Sequence, residues 1–236
     1  MSKVVHPYSL RLVTLRPWLS RWVGGSKSEY RDHLRGDVLI REYLEKKLRN
    51  QFVASIVIER DHSTMKIAVH TSRPGLVIGR SGEGIANIRK DVLAFSDKKN
   101  LHLPKDVKID IVEITNPEAN AKIVALQIAT ELEKRIQFKR AMKMNAEKVM
   151  QTPGVKGVRI VLSGRLGGAD MSRREVVRLG SVPLQFIRAD IDYTTERATM
   201  PYGVIGIKVW INRGDSLENI SAGDQSTPNQ PARRNA

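Results

Sequence analysis

The sequence contains no cysteine, which excludes disulfide cross-links, cysteine zinc ribbons and thiol catalysis. Aromatic residues make up only 5% of it, and acidic residues are outnumbered: 25 Asp and Glu stand against 40 Lys and Arg. No apolar run approaches the roughly 20 residues of a membrane-spanning helix, and Met1 to Gly25 lacks the continuous apolar stretch of a signal peptide. Patterns for catalysis are missing too. The five histidines, His6, His33, His62, His70 and His102, show no metal-ligand spacing, and there is neither a G-x-S-x-G elbow nor the Gly-Lys-Ser/Thr of a Walker A loop. The expectation is a soluble intracellular protein that is not an enzyme, with no cofactor, no metal, no membrane and no small-molecule substrate.

What is present is positive charge. The formal net charge of +15 and a pI near 10.2 call for a polyanionic partner, and 41% hydrophobic residues over 236 positions are enough for one large or two small folded domains.

The most informative stretch is Leu76 to Arg89, where Gly79-Arg80-Ser81-Gly82 lies between an apolar run and an amphipathic helix pattern carried by Ile85, Ile88 and Val92. Glycines lack the Cβ that keeps a sugar-phosphate backbone at a distance, and they tolerate the positive φ of a tight turn. The helix start after them would offer the amides of Gly82, Glu83 and Gly84 to a phosphate, and Arg80 adds a full charge. The dinucleotide fingerprint G-x-G-x-x-G does not fit, because Gly79, Gly82 and Gly84 are spaced G-x-x-G-x-G. Spacing alone is weak evidence, since Gly164–Gly167 and Gly203–Gly206 share it; the apolar lead-in and the arginine set the first copy apart.

Residues 1–25 form an irregular basic and aromatic segment. Lys3, Arg11, Arg16 and Arg21 alternate with Tyr8, Trp18 and Trp22, which would grip RNA by charge and stacking or else cap a core edge. Residues 26–115 read as helix, strand, strand, helix, strand. Asp37 is placed as an N-cap before the stripe Ile40, Leu44, Leu48; Val53–Arg60 and Thr64–His70 form a hairpin; Pro74 and Gly75 interrupt the pattern; a helix runs from Glu83 to about Phe95; Val107–Ile111 is the third strand. In 116–213, Asn116 and Pro117 launch one long helix through Ile123, Leu126, Leu132 and Ile136. Strands are predicted over Val155–Ser163, Leu184–Tyr193 and Gly203–Ile211, with a short helix over Ala169–Leu179, giving a second α+β unit whose sheet is backed by the long helix. Residues 214–236 are polar, with little to bury, and read as a disordered tail.

Basic residues concentrate in the second unit. Arg135, Lys139 and Lys143 recur every fourth position, with Arg140 beside them, and like charges at that spacing weaken an isolated helix; a phosphate-tracking surface explains the stripe better than a solvated face. Arg165, Arg173, Arg174 and Arg178 form a second cluster around Leu166-Gly167-Gly168, suited to RNA contact, although pairing with Asp170 and Glu175 is open to them as well. Asp190 and Asp192 would share a strand face, more as salt-bridge partners of Arg188 and Arg197 than as a metal or acid/base pair.

Val77-Ile-Gly-Arg-Ser-Gly-Glu-Gly-Ile85 resembles the loop of a KH domain, and the element order matches the bacterial, type II topology. Ser163–Ala169, Arg188–Tyr193 and Tyr202–Ile211, together with Val5-His-Pro7, Arg11-Leu12 and Pro17-Trp18, resemble the family of the third protein of the small ribosomal subunit, bacterial type. The resemblance spans about residues 3 to 213. The chain departs from that family at Ser9 and Val13, where glycines are usual, and at Arg80-Ser81, where two lysines are common.

The resemblance implies a structural protein in the head of the small subunit that binds ribosomal RNA and neighbours the tenth and fourteenth proteins of that subunit. It also implies that Lys139, Arg140 and Lys143, in Phe138–Lys143, line the mRNA entry channel and help open mRNA structure, in a cytoplasmic or organellar ribosome. On the same reading the RNA-binding residues are Gly79, Arg80, Ser81, Gly82, Arg135, Lys139, Arg140, Lys143, Arg165, Arg173, Arg174 and Arg178. Two readings from other classes stand beside it: a KH regulator acting away from the ribosome, and a nuclease. The motifs of the second unit weigh against the first, and the lack of an acid/base or metal constellation weighs against the second.

Overall fold

The structure, a computed structural model, describes residues 5–215 other than Val13, His62, His102 and Lys105; the side chain of Ser81 is also undescribed. Positions 216–236, which carry nearly all of the expected disordered tail, lie outside the described residues, while Gly214 and Asp215 belong to the last strand.

A two-residue strand β1 (Ser20–Arg21) precedes helix α1 (Lys27–Lys47). Ser26 opens α1, its hydroxyl accepting the Glu29 N–H at 3.2 Å while the Glu29 carboxylate accepts the Gly25 N–H at 3.0 Å. This Ser-x-x-Glu arrangement supplies partners for orphan amides at the helix start. Asp37 is therefore not the N-cap. It sits mid-helix, fully buried, and accepts hydrogen bonds from Trp22 Nε1 at 2.8 Å and Arg60 Nε at 2.7 Å. The stripe Ile40, Leu44, Leu48 is buried as its spacing requires.

Strands β2 (Val53–Arg60) and β3 (Thr64–Thr71) form the expected hairpin. Strand β4 (Asp106–Glu113) pairs parallel with β3, and β1 pairs parallel with β2, so the sheet order is β1-β2-β3-β4. Between β3 and β4 lie a short helix α2 (Pro74–Ile78) and α3 (Glu83–Lys99). Pro74 and Gly75 thus start a helical turn rather than interrupt one, because proline at the first helical position needs no amide partner. Ile56, Ile67, Val69, Ile88 and Val92 close the core against α1. The helix–strand–strand–helix–strand order expected of a type II KH domain is present, with α2 added.

The second half folds around a second core. Helices α4 (Ala121–Glu133) and α5 (Phe138–Gln151) cover one face of an antiparallel sheet of order β6-β5-β8-β7, made by β5 (Gly157–Gly164), β6 (Arg173–Gly180), β7 (Ala189–Met200) and β8 (Gly203–Asp215). Three expectations change here. The single long helix is two: Asn116-Pro117 opens a 3-10 turn, Asn120 caps α4, and the chain turns between α4 and α5. The turn is a Schellman closure, in which the Ile136 N–H bonds the Glu131 carbonyl at 3.1 Å and the Arg135 N–H bonds the Leu132 carbonyl at 2.8 Å. Its pivot, Arg135, takes φ 63°, a position glycine usually fills, so the sequence carries no stop signal.

The expected helix over Ala169–Leu179 is largely strand β6. Its residues alternate, Val177 and Leu179 packing on the helix-covered core while Arg174, Val176 and Arg178 face outward. The strand predicted from Leu184 begins at Ala189, since the carbonyls of Leu184 and Phe186 are taken by the buried Arg11 at 3.2 and 2.7 Å.

Candidate nucleic-acid interface

Helix α2 delivers the chain to the glycine turn. Gly79 has φ 70° and Gly82 φ 81°, both in the region that side chains strain to occupy. Gly84 is required for another reason: a Cβ there would stand 2.3 Å from the Val77 carbonyl oxygen and 2.7 Å from that of Ile78, so α3 rests directly on the end of α2. The Glu83 N–H bonds the Arg80 carbonyl within the turn. Of the three amides expected to await a phosphate, that one is spent. Arg80 is exposed, and beside it Gly82, Ile85, Ala86, Arg89, Lys90 and Leu93 line a cavity of about 600 Å³ with an apolar floor and a cationic rim.

The second candidate surface is the α4–α5 corner. Phe138, Ala141 and Met142 bury one side of α5 and leave Lys139, Arg140 and Lys143 exposed together. None of the three has a hydrogen-bond or ion-pair partner among the described residues. The first turn of α5 holds no acid, and Gln137 provides no side-chain cap. Cations at a helix N-terminus oppose the macrodipole, at about 0.3–1 kcal/mol each. This end of α5 is therefore electropositive at some cost to stability, and an anion relieves the cost. Arg135 lies at the corner rather than on α5, so the expected every-fourth-residue stripe is interrupted there. The Arg173 guanidinium stacks over the Phe138 ring, 5.3 Å from its centroid, bringing it beside the same corner.

The arginine cluster of the second unit divides. All three guanidinium nitrogens of Arg165 are occupied, by the Ala169 and Tyr202 carbonyls and the Asp170 carboxylate, each at 3.0 Å. Arg165 therefore holds its own loop in shape. Arg173 stays on the helix side of the sheet, whereas Arg174 and Arg178 face away from it. In the N-terminal segment the RNA-gripping alternative fails for Arg11 and Arg16: Arg11 is fully buried, and Arg16 bonds Asp190 and Asp192, both at 3.2 Å. Trp22 packs against Tyr30 and His33, while Trp18 is exposed. Asp190 and Asp192 do form salt bridges, though with Arg16 and Arg213 instead of Arg188 and Arg197.

Residues 39–119 match the family model of the KH domain, and residues 128–211 match that of the ribosomal protein S3 C-terminal domain. The chain is also 42% identical, over 234 residues, to the small ribosomal subunit protein uS3 of Shewanella loihica, covering 99% of this chain and 98% of that one. The chain belongs to the ribosomal protein S3 family. It is thus a ribosomal, RNA-binding protein and not an enzyme, and both candidate surfaces lie within family-matched segments.

Sequence reasoning passed over Arg159 and Lys208 and gave Arg197 only a salt-bridge role. They emerge on the outer face of the second sheet, in register with Arg178, Thr195 and Gly206 respectively. The signal was the period of two along Arg159-Ile-Val-Leu162 and Gly206-Ile-Lys-Val209, which puts Arg159 and Lys208 on the face opposite Ile160 and Ile207.

Proposed function

We propose that the chain is a structural constituent of the small ribosomal subunit in the bacterial cytoplasm, binding ribosomal RNA, and that Lys139, Arg140 and Lys143 grip mRNA as it enters and help open its secondary structure. The observation that carries the mRNA role is the exposed, unpartnered triad on α5, at a helix start with no compensating acid. Arg135 and Arg173 extend that positive corner, and positive charge that no carboxylate among the described residues satisfies favours a mobile polyanion over a fixed internal contact. Gly79, Arg80, Ser81 and Gly82 form a second, lighter contact with an RNA backbone. In the subunit head the chain neighbours its tenth and fourteenth proteins, with 26–115 as the KH unit and 116–213 as the unit that carries the mRNA contact.

The mRNA role is tested by neutralising Lys139, Arg140 and Lys143 together to Gln in ribosomes. Translation of messages with stable hairpins near the start should fall well below that of unstructured messages. Equal translation of both would overturn the role while leaving the chain a small-subunit protein.

A further inference from the structure

The face of the second sheet that the helices leave uncovered has a charge pattern of its own. Strand register aligns three rows across it: Arg178, Arg159, Trp210 and Tyr193; then Val176, Val161, Lys208 and Thr195; then Arg174, Ser163, Gly206 and Arg197. Five basic side chains thus share one face, and no carboxylate appears in any row. Of the sheet's acids, Glu175 is in register with Leu162 on the helix-covered face, Asp190 and Asp192 pair with Arg16 and Arg213, and Glu196 pairs with Lys122 on α4. Burial, and then the nearness of Arg178 and Arg174, hold the Arg159 guanidinium below its ordinary pKa.

Two further observations concern donors. Arg159 lies over the Trp210 ring at 4.9 Å, and the Nε of Arg159 and the Nε1 of Trp210 are both buried without a hydrogen-bond partner. Buried donors of this kind normally have an acceptor. A cavity of about 520 Å³ opens beside them, bordered by His6, Arg159, Arg174, Tyr193, Lys208 and Trp210. The site therefore offers cations and spare N–H groups and lacks acceptors of negative charge.

We propose that this face docks the sugar-phosphate backbone of folded RNA, with Arg174, Arg178 and Lys208 as its phosphate contacts. Its dimensions suit a polymer: four residues of strand between Arg174 and Arg178 span about 13 Å, and four strands span about 14 Å, wider than a single anionic group. Gly206, which has no side chain, and the hydroxyl of Ser163 leave the row between Arg174 and Arg197 low and polar, while Val161 in the middle row is buried against Trp210. A protein partner would bring an apolar centre to its interface. The rows do not match one, since Val176 is their only exposed large hydrophobic residue. This inference rests on the proposed binding of ribosomal RNA, but helix α5 packs on the opposite face of the sheet, so it stands or falls separately from the mRNA role.

The test places a photo-crosslinking benzophenone amino acid at position 208, and separately at 174, in assembled small subunits, with the same group at 139 as a reference. RNase-sensitive adducts from 208 and 174 are expected. Adducts to a neighbouring protein alone, or none at either position, would overturn the proposal whatever the reference yields. As a second arm, the triple variant Arg174→Gln, Arg178→Gln, Lys208→Gln of the full chain is titrated with a small-subunit ribosomal RNA transcript across a salt series. The slope of log affinity against log salt should flatten by about 2, at about 0.7–0.9 per lost phosphate contact. An unchanged slope in a variant with an unchanged melting temperature would also sink it.

Discussion

Tyr8 donates its phenolic hydrogen to Oδ1 of Asp192, a bond between residues 184 positions apart that fastens the N-terminal segment to the second sheet. Around the same carboxylate, Arg16 reaches Oδ1 at 3.2 Å, Arg213 reaches Oδ2 at 2.6 Å, and the Ala121 N–H bonds Oδ2 at 2.9 Å. One buried side chain thereby joins the N-terminal turn, the start of α4, β7 and β8.

That geometry predicts a dependence on acid. Burial pushes the Asp192 carboxyl up, but Arg213, Arg16 and the hydrogen bonds from Tyr8 and Ala121 outweigh it and hold it below the ordinary carboxylate range. A carboxyl held low when folded takes up protons more readily when unfolded. Its stabilisation is therefore complete above the unfolded value and is lost as pH falls below about 4 toward the lower folded value. Thermal melts from pH 7 to pH 3 should show this acid arm, and Asp192→Asn should be less stable at pH 7 and flatter below pH 4. A variant with an acid arm as steep as the parent's would contradict the assignment.

Asp37 and Arg60 form a second buried ion pair, with side chains 0% and 3% exposed. Removing one partner leaves an uncompensated charge in the core. Asp37→Ala should cost about 3–5 kcal/mol in urea unfolding, whereas Asp37→Leu combined with Arg60→Met should recover most of the loss. If the single variant matched the parent, the pair would have no structural weight.

At the α4–α5 turn, Arg135 holds a left-handed conformation that costs a residue with a side chain on the order of 1 kcal/mol. Arg135→Gly should raise stability by up to about that amount. It should also weaken RNA binding slightly through the lost charge, so melting temperature and affinity move in opposite directions. A drop in melting temperature would show that the strain is relieved some other way.

In the glycine turn, two substitutions should separate close packing from backbone strain. Gly84→Ala puts a methyl group into the Val77 carbonyl and must push α2 from α3; the expected cost is about 1–3 kcal/mol, with faster amide exchange along α2. Gly82→Ala meets no atom within 4 Å and faces only its φ of 81°, for about 1–2 kcal/mol and little change in α2. Equal exchange in the two variants would remove the distinction.

The periodic parts of the fold were legible. Ile40, Leu44 and Leu48 announce α1's buried face, β2 and β3 alternate, and the glycines mark their turn. The misread places share a cause, which is that local spacing was ambiguous and a distant contact decided it. Asp37 resembles an N-cap until Arg60 and Trp22 reach it from elsewhere in the chain. The α4–α5 break carries an arginine where glycine normally signals a stop. Arg173, Arg174 and Arg178 are close in sequence in either a helix or a strand, but only pairing with β5 turns the first away from the other two.

The sequence by itself determined the excess of positive charge, the absence of cysteine, the glycine turn, most of the helix and strand content and the family likeness, because each depends on composition or near-neighbour spacing. The tertiary structure decided which charges are free. Arg11, Arg16, Arg60 and Arg165 are consumed by carbonyls and carboxylates that folding brings to them, while Lys139, Arg140 and Lys143, and separately Arg174, Arg178 and Lys208, are left on opposite sides of one sheet with nothing negative to meet among the described residues. An arginine's availability depends on what the fold places within about 3 Å of it, and that distance is set by contacts made across the whole chain.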